Sequence, residues 1–226
     1  MRKVRYAIYY SPKIKSPLWT FGAQWLGRTS KRLSVDGLSQ KAIANMTEAP
    51  AHYGFHATLK PPFVLGKGVA FEDLDEALEK FAESCKPITI PALELAVLDD
   101  FLALRPKAGS KDLDDLAADC VKVFDKFRAP PTAKELGKRM QADLSKNQKK
   151  MLEKWGYPYV LDEFRFHMTL TERLEKKNRT ETIAALSPIL DKITGKDFTL
   201  HELTLFQQYS QKTSFEELKR YSFATS

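Results

Sequence analysis

One short pattern occurs twice in this chain and limits the folds that are open to it. Residues 55–59 read Phe-His-Ala-Thr-Leu, and residues 166–170 read Phe-His-Met-Thr-Leu. Each copy is followed by a segment with helical spacing and then by a short apolar strand, around Ile88–Ile90 in the first case and Phe198–Leu200 in the second. The near-equal spacing predicts a duplicated α+β unit, with about 110 residues between the copies.

We expect residues 1–226 to form one bilobal domain. One motif lies in a first half, about residues 1–106, and the other lies in a second half, about residues 156–226. Between them, about residues 111–155, the spacing of apolar residues is helical. Within this middle part, residues 132–155 carry seven Lys and Arg against three acidic residues. They form either a lid over a groove or a solvated helix, and the sequence leaves both interpretations open.

Alternate residues of a strand point to opposite sides of its sheet, so each motif has a polar and an apolar face. Each polar face presents an imidazole, a hydroxyl and a cation. These residues are His56, Thr58 and Lys60 in the first copy and Arg165, His167 and Thr169 in the second.

This grouping suits the cleavage of a phosphodiester. Two imidazoles that titrate near neutral pH can take a proton from the attacking oxygen and give one to the leaving oxygen. Hydroxyls and cations stabilise the negative charge that develops on the phosphoryl oxygens. We therefore predict His56 and His167 as the acid–base pair and Thr58 and Thr169 as phosphate-binding residues. Which imidazole is the base stays open.

A single His-x-Thr in a strand is more often structural than catalytic, and it is the second copy that favours chemistry. Zinc binding is the competing use of two histidines, but zinc usually takes three or four protein ligands. The remaining histidines, His52 and His201, lie outside the repeated pattern. We expect no metal and no cofactor.

Further substrate-binding candidates are weaker. Lys60 and Arg165 are candidates for the positive charge, and Tyr6, Tyr10 and Tyr159 are candidates for the walls of the groove. Packing in the core or on the sheet is the simpler explanation for each tyrosine.

Charge and composition agree with a phosphate-bearing partner without requiring one. The net charge is +7, and residues 1–70 alone hold 11 Lys and Arg against two acidic residues. The positive field of these residues suits a small or polymeric phosphate ligand. The alternative is that the charges only form a solvated surface. No apolar run approaches the length of a membrane span, the N-terminus does not predict a signal peptide, and Cys85 and Cys120 form no CxxC pair. We expect a cytoplasmic protein with reduced thiols.

The longer strings around the motifs carry a family resemblance. The two His-x-Thr sequences resemble the motifs of the two-histidine (2H) phosphoesterase superfamily. Residues 53–60 and 156–167 are similar to a branch associated with bacterial phosphonate-utilisation operons, and the likeness extends to residues 5–10, 25–28 and 127–130. It implies a bilobal fold with pseudo-twofold symmetry, in which two antiparallel sheets surround a central groove and helices lie outside.

The same resemblance implies metal-independent action on a cyclic phosphate or related phosphodiester. We expect a hydrolase acting on a ribose-containing small molecule of phosphonate metabolism. Two alternatives stay open: an enzyme or binding protein for RNA ends, or a sensor that binds a nucleotide or sugar phosphate without turnover. We expect a small-molecule phosphodiester as the main partner, no membrane partner and a monomer.

Overall fold

The structure is a computed structural model that describes residues 4–224, in which runs of strands and runs of helices follow one another. Residues 1–3 and 225–226, the two ends of the predicted domain, lie outside the described residues. The strands are β1 (Arg5–Tyr10), β2 (Ala57–Phe63), β3 (Ile88–Ile90), β4 (Leu93–Leu98), β5 (Phe101–Pro106), β6 (Met168–Thr169), β7 (Phe198–Leu200), β8 (Glu202–Gln208) and β9 (Glu216–Ser222). The helices are α1 (Pro17–Trp25), α2 (Gln40–Met46), α3 (Glu48–Tyr53), α4 (Phe71–Ser84), α5 (Lys111–Val123), α6 (Ala133–Met140), α7 (Lys146–Trp155) and α8 (Lys176–Thr194).

Seven of these strands form one antiparallel sheet in the order β4-β5-β6-β2-β1-β8-β9, and β3 pairs with β7 in a separate two-stranded sheet. The predicted α+β class with antiparallel sheets and external helices is therefore confirmed. The arrangement of the sheets differs from the expectation in one respect. The two motif strands, β2 and β6, are neighbours in the same sheet and do not face each other from two sheets.

The pairing of equivalent residues reveals the internal symmetry. Ala57 and Met168, the central residues of the two motifs, pair with each other. Thr89 and Thr199, at equivalent places further along each half, also pair with each other. A twofold axis between two copies of a segment makes the copies pair antiparallel to each other. That axis passes between β2 and β6, in the middle of the long sheet.

The two faces of the long sheet are covered differently. The main core lies on one face, where the apolar sides of α4, α5 and α8 pack. Spacing explains these helices, because Leu74, Leu78 and Ala82 recur every four residues along α4 and are all buried. The other face carries a smaller buried cluster around Tyr9 and Phe206. The polar sides of the two motifs lie on this second face.

Local geometry sets the bounds of several elements. Pro61 and Pro62 lie inside β2, where the pairing with β1 is irregular and prolines are tolerated. Residues 132–155 contain the two helices α6 and α7, and Ser145 caps the second. The second motif contributes two residues, β6, to the long sheet.

Two further features bear on the expected environment. Cys85 and Cys120 are both free thiols. Among residues 4–224, no helix combines the length and the apolar character that crossing a membrane requires.

Candidate active site

The register between β2 and β6 brings the two motifs together. Because Ala57 pairs with Met168 in an antiparallel ladder, each motif histidine stands opposite the threonine of the other motif. Side chains directly opposite on such a pair have Cβ atoms roughly 5 Å apart, and diagonal neighbours are roughly 7–8 Å apart. The result is a patch of four half-buried side chains on one face. They are His56, Thr58, His167 and Thr169.

Both imidazoles are fixed in the same tautomer by their own backbone. Nδ1 of His56 lies 2.9 Å from the carbonyl oxygen of Gly54, and Nδ1 of His167 lies 2.7 Å from that of Arg165. A carbonyl oxygen only accepts hydrogen bonds, so Nδ1 carries the proton and donates in each case. Nε2 is therefore the reactive nitrogen of both neutral rings. In His56 it lies 3.2 Å from the hydroxyl of Thr58, which donates to it.

Gly54 makes the first of these contacts possible. It ends α3 with φ 80° and ψ 177°, a conformation that is essentially confined to glycine. This turn directs the chain from α3 into β2 and leaves the Gly54 carbonyl beside the imidazole two residues later.

Tyr9 is the main neighbour of His56, and the sequence did not single it out. The two rings stack with centroids 3.7 Å apart and planes 23° apart, and Tyr9 is 1% exposed. Tyr9 pairs with Thr58 across β1 and β2, which puts it on the face of the motifs. Because β1 is apolar on both sides, its pattern did not indicate which tyrosine faces the site.

The prediction that Tyr6 and Tyr10 line the groove was wrong, because neither lies on the face of the motifs. Tyr10 belongs to the main core, and Tyr6 packs against that core and stacks on Phe71 with centroids 5.5 Å apart. Both lie on the helix-covered side, opposite to Tyr9.

Burial controls the titration of both histidines. Removal from water lowers the pKa of His56 to about 4; the Gly54 hydrogen bond opposes this, and the nearby His167 and Arg28 add to it. Burial also lowers the pKa of His167, and the charge of Arg165 contributes in the same direction. His167 thus lies close enough to His56 to lower its pKa.

Lys60 does not lie with His56 and Thr58, so the predicted face of this residue was wrong. A β-bulge is the reason: Tyr9 pairs with Thr58 and the preceding Ile8 pairs with Lys60, so an extra residue interrupts the alternation. The Lys60 ammonium is 2% exposed, donates to the carbonyl of Val121 at 3.1 Å and lies 3.6 Å from Asp125. Burial lowers its pKa to about 8.

Arg165 and Tyr159 remain exposed near the second motif. Arg165 is close enough to His167 to lower its pKa, and no hydrogen bond or ion pair of its side chain forms among residues 4–224. Tyr159 is 47% exposed and meets Tyr157 edge to face, with centroids 5.7 Å apart. Within the same described range, no group of three or more His, Cys, Asp or Glu side chains is arranged to hold a metal ion.

Comparison with known proteins identifies the family of this chain. The family described as "Protein of unknown function (DUF1045)" matches residues 58–216, which is most of the chain. This chain belongs to the DUF1045 family. The matched DUF1045 segment includes β2 from Thr58 onward and the whole of the second motif.

Two curated relatives of this DUF1045 chain carry the name ribose 1,5-bisphosphate phosphokinase PhnN. The one from Janthinobacterium sp. (strain Marseille) is 39% identical over 176 residues, which are 75% of this chain and 39% of the relative. The one from Laribacter hongkongensis (strain HLHK9) is 32% identical over 76% of this chain and 41% of the relative. The chain thus spans about two fifths of the length of these relatives. The resemblance predicted from the sequence is confirmed at the level of the family and its PhnN-named relatives.

Solved structures similar to the DUF1045 chain include Escherichia coli LigT complexed with 3'-AMP, at 13% identity and a TM-score of 0.42 over 99% of both chains. A structure described as a phosphoesterase is 14% identical with a TM-score of 0.41, over 99% of both chains. A TM-score this low does not carry function from one protein to another.

Proposed function

We propose that this chain is a phosphodiesterase that opens a cyclic phosphate on a ribose-containing small molecule, with His56 and His167 as its acid–base pair. The observation that carries the proposal is the pairing of β2 with β6, which sets two His-x-Thr triplets side by side across a pseudo-twofold axis. Two equivalent sets of groups around one axis suit a reaction at phosphorus in which one oxygen attacks and another leaves. On substrate binding, the Thr58 hydroxyl would turn from Nε2 of His56 to one non-bridging oxygen, which frees Nε2 to accept a proton from water, and the Thr169 hydroxyl would donate to the other oxygen.

The chemical step requires water and two proton transfers. Nε2 of His56 takes a proton from water as the water oxygen attacks phosphorus. The bond from phosphorus to one ring oxygen breaks, and Nε2–H of His167 gives that oxygen its proton. The products are a phosphate monoester and a free hydroxyl, and exchange with solvent returns both rings to their starting states.

The different surroundings of the two rings support this division of roles. His56 is held neutral by burial against Tyr9, as a base must be. His167 lies beside the exposed Arg165. A bound phosphate anion would raise the pKa of His167, so that the ring takes up a proton from solvent and can act as the acid.

The names of the relatives support one substrate class. The matched region makes up about two fifths of proteins named ribose 1,5-bisphosphate phosphokinase, and an activity within such a protein is well placed to supply that compound. Opening a five-membered phosphate ring across O1 and O2 of ribose 5-phosphate, with cleavage at O2, yields ribose 1,5-bisphosphate. We propose this as the reaction, in keeping with the resemblance to a branch linked to phosphonate utilisation.

A kinase activity of this segment itself is not favoured. The stretch nearest to a P-loop sequence is Gly22-Ala-Gln-Trp-Leu-Gly27-Arg28-Thr29, with arginine where the P-loop has lysine. Its first half lies in helix α1 and not in a phosphate-binding loop, and Arg28 donates to the carbonyls of Ala51 and Phe215.

The structure also gives the RNA alternative no specific support. Part of the excess positive charge in residues 1–70 has internal partners. Arg5 donates to Gln208, and Arg32 donates to the Trp25 carbonyl and to Thr47.

A phosphorus NMR assay tests the proposal directly. The wild-type protein would be incubated with 5-phosphoribose 1,2-cyclic phosphate, with adenosine 2′,3′-cyclic phosphate and with an RNA that ends in a 2′,3′-cyclic phosphate, each with and without EDTA. We expect the sugar compound to be opened fastest and EDTA to have no effect. Faster opening of the RNA end would replace the proposed substrate, and binding of all three without turnover would favour the sensor.

A further inference from the structure

We propose that Gln208 is a positioning residue for the reaction: its side-chain amide anchors the end of α3 to the long sheet, and the anchored helix presents the Gly54 carbonyl that orients His56. The inference rests on the proposed function, because His56 is the base of that reaction. Gln208 acts through His52, a histidine outside the two motifs, and not on the substrate itself.

The Gln208 amide is buried and its orientation is fixed. Gln208 is 0% exposed and lies two residues after Phe206 on β8, on the face of the sheet that carries the motifs. Arg5 donates to the amide oxygen at 2.7 Å, and a guanidinium can only donate. The amide nitrogen therefore points the other way, where it lies 2.7 Å from Nε2 of His52 and 2.6 Å from the carbonyl oxygen of Thr213. Each amide hydrogen thus has an acceptor.

This arrangement also defines the tautomer of His52. The amide nitrogen of Gln208 donates, so Nε2 of His52 accepts and carries no proton. The ring of His52 meets that of Phe215 edge to face, with centroids 6.5 Å apart. Gln208 thus links β1, β8 and α3 through one polar network, and removing it would leave both Arg5 and His52 without this partner.

Helix α3 depends on such anchors. It has six residues and no side-chain hydrogen bond at its N-cap, and a helix this short is not stable by itself. Two further bonds hold its last turn. The His52 carbonyl accepts from the N–H of Phe215 at 2.8 Å, and the Ala51 carbonyl accepts from Arg28 at 2.9 Å. The bond from Gln208 adds the link between this turn and the long sheet.

The end of α3 determines both contacts that hold His56. The helix is followed by Gly54, whose carbonyl oxygen lies 2.9 Å from Nδ1 of His56. Tyr53, the last residue of the helix, stacks on Phe215 with centroids 5.4 Å apart, and Phe215 meets Tyr9 with centroids 6.3 Å apart. Tyr9 is the ring that stacks on His56. A shift of α3 would therefore move the carbonyl that sets the tautomer of His56 and the aromatic packing behind its ring.

The imidazole nitrogens of His56 provide a test that does not depend on turnover. Gln208→Met conserves the length of the side chain and removes the amide. In nitrogen NMR spectra near neutral pH, we expect wild-type His56 to carry its proton on Nδ1 and the variant to show a mixture of tautomers. His167, which is held by the carbonyl of Arg165, should keep its tautomer in the same spectrum and serves as the internal reference.

Steady-state kinetics on the cyclic sugar phosphate supply the second measurement. The kcat of Gln208→Met should fall by roughly 10- to 100-fold, because a small displacement of a reacting group is costly, and KM should change little. Gln207→Met is the matched control. Gln207 donates to the exposed hydroxyl of Tyr209 at 2.9 Å, so its replacement should leave both kcat and the tautomer of His56 unchanged.

An unchanged tautomer of His56 in Gln208→Met would overturn the proposal, as would an unchanged kcat, with or without a raised KM. Thermal unfolding would check that the variant folds. If it does not, His52→Phe decides in its place, because it removes the acceptor, keeps a ring against Phe215 and leaves the Arg5 bond intact; an unchanged tautomer of His56 there would again overturn the proposal. If the tautomer depends on Gln208 but the wild type opens no cyclic phosphate, the phosphodiesterase proposal fails and the positioning of His56 stands.

Discussion

The two His-x-Thr motifs have matching sequences but different surroundings. In the first motif, His56 lies against the ring of Tyr9, and the neighbouring cation, Lys60, points into the helix-covered side of the sheet. In the second, the aromatic neighbour of His167 within the described part of the chain is Phe101, with centroids 5.8 Å apart, and Arg165 is exposed beside it. The two motifs thus supply equivalent sets of groups, and packing shelters the first imidazole under an aromatic ring and leaves an exposed cation beside the second.

The largest expected effects are those of removing either imidazole. His56→Ala and His167→Ala should each lower kcat on the cyclic sugar phosphate by roughly 10²- to 10⁴-fold, the usual contribution of a general acid or base. Steady-state kinetics, with thermal unfolding as a control for folding, would measure this. Full activity in either variant would remove that histidine from the mechanism.

Replacing the cation of each motif should affect kcat/KM differently. Arg165→Met should lower kcat/KM by roughly 10- to 100-fold, because a charged hydrogen bond to the phosphate is lost. Lys60→Met is the matched control and should leave kcat/KM nearly unchanged, since its ammonium binds Val121 and Asp125 on the other side of the sheet. If Lys60→Met were the more damaging change, the bulge would not separate Lys60 from the site as described.

The aromatic neighbours should set different pKa values for the two imidazoles. Tyr9→Leu admits water to His56, and its pKa should rise from about 4 toward its ordinary value, by roughly one to two units. Tyr9→Phe keeps the stacked ring and should leave the pKa of His56 near that of the wild type. NMR titration of the imidazole protons would measure both. A pKa of His56 that is insensitive to Tyr9→Leu would show that the stack does not control it.

The smallest expected effect is on stability. The pKa of His56 is lower in the folded protein than in the unfolded chain, so the unfolded chain binds more protons between pH 6.5 and about pH 4. The free energy of unfolding should therefore fall as the pH decreases through this window, by about 2 kcal/mol from this residue. Urea unfolding of the wild type and of His56→Gln, measured at both pH values, would isolate the contribution. An identical pH dependence in both proteins would contradict the low pKa.

Much of the site could be predicted from sequence because it depends on a local rule. The period of two places His56 with Thr58 and His167 with Thr169, and the observed half-buried positions follow that alternation. The equivalence of Thr89 and Thr199 was also readable from spacing, and these residues pair with each other. The helices α2 and α3 were not predicted, because they are short and lie in a segment where no long apolar period develops.

The sequence by itself determined that His56 shares a strand face with Thr58 and that His167 shares one with Thr169, because alternation along a strand is built into backbone geometry. Only the tertiary structure decided which strands are neighbours, that a bulge turns Lys60 away, that Tyr9 and not Tyr6 or Tyr10 covers His56, and that Gln208 meets His52. Each of these depends on register or on contacts between distant segments. The sequence of one segment, taken without the segments that pack against it, contains no signal for either.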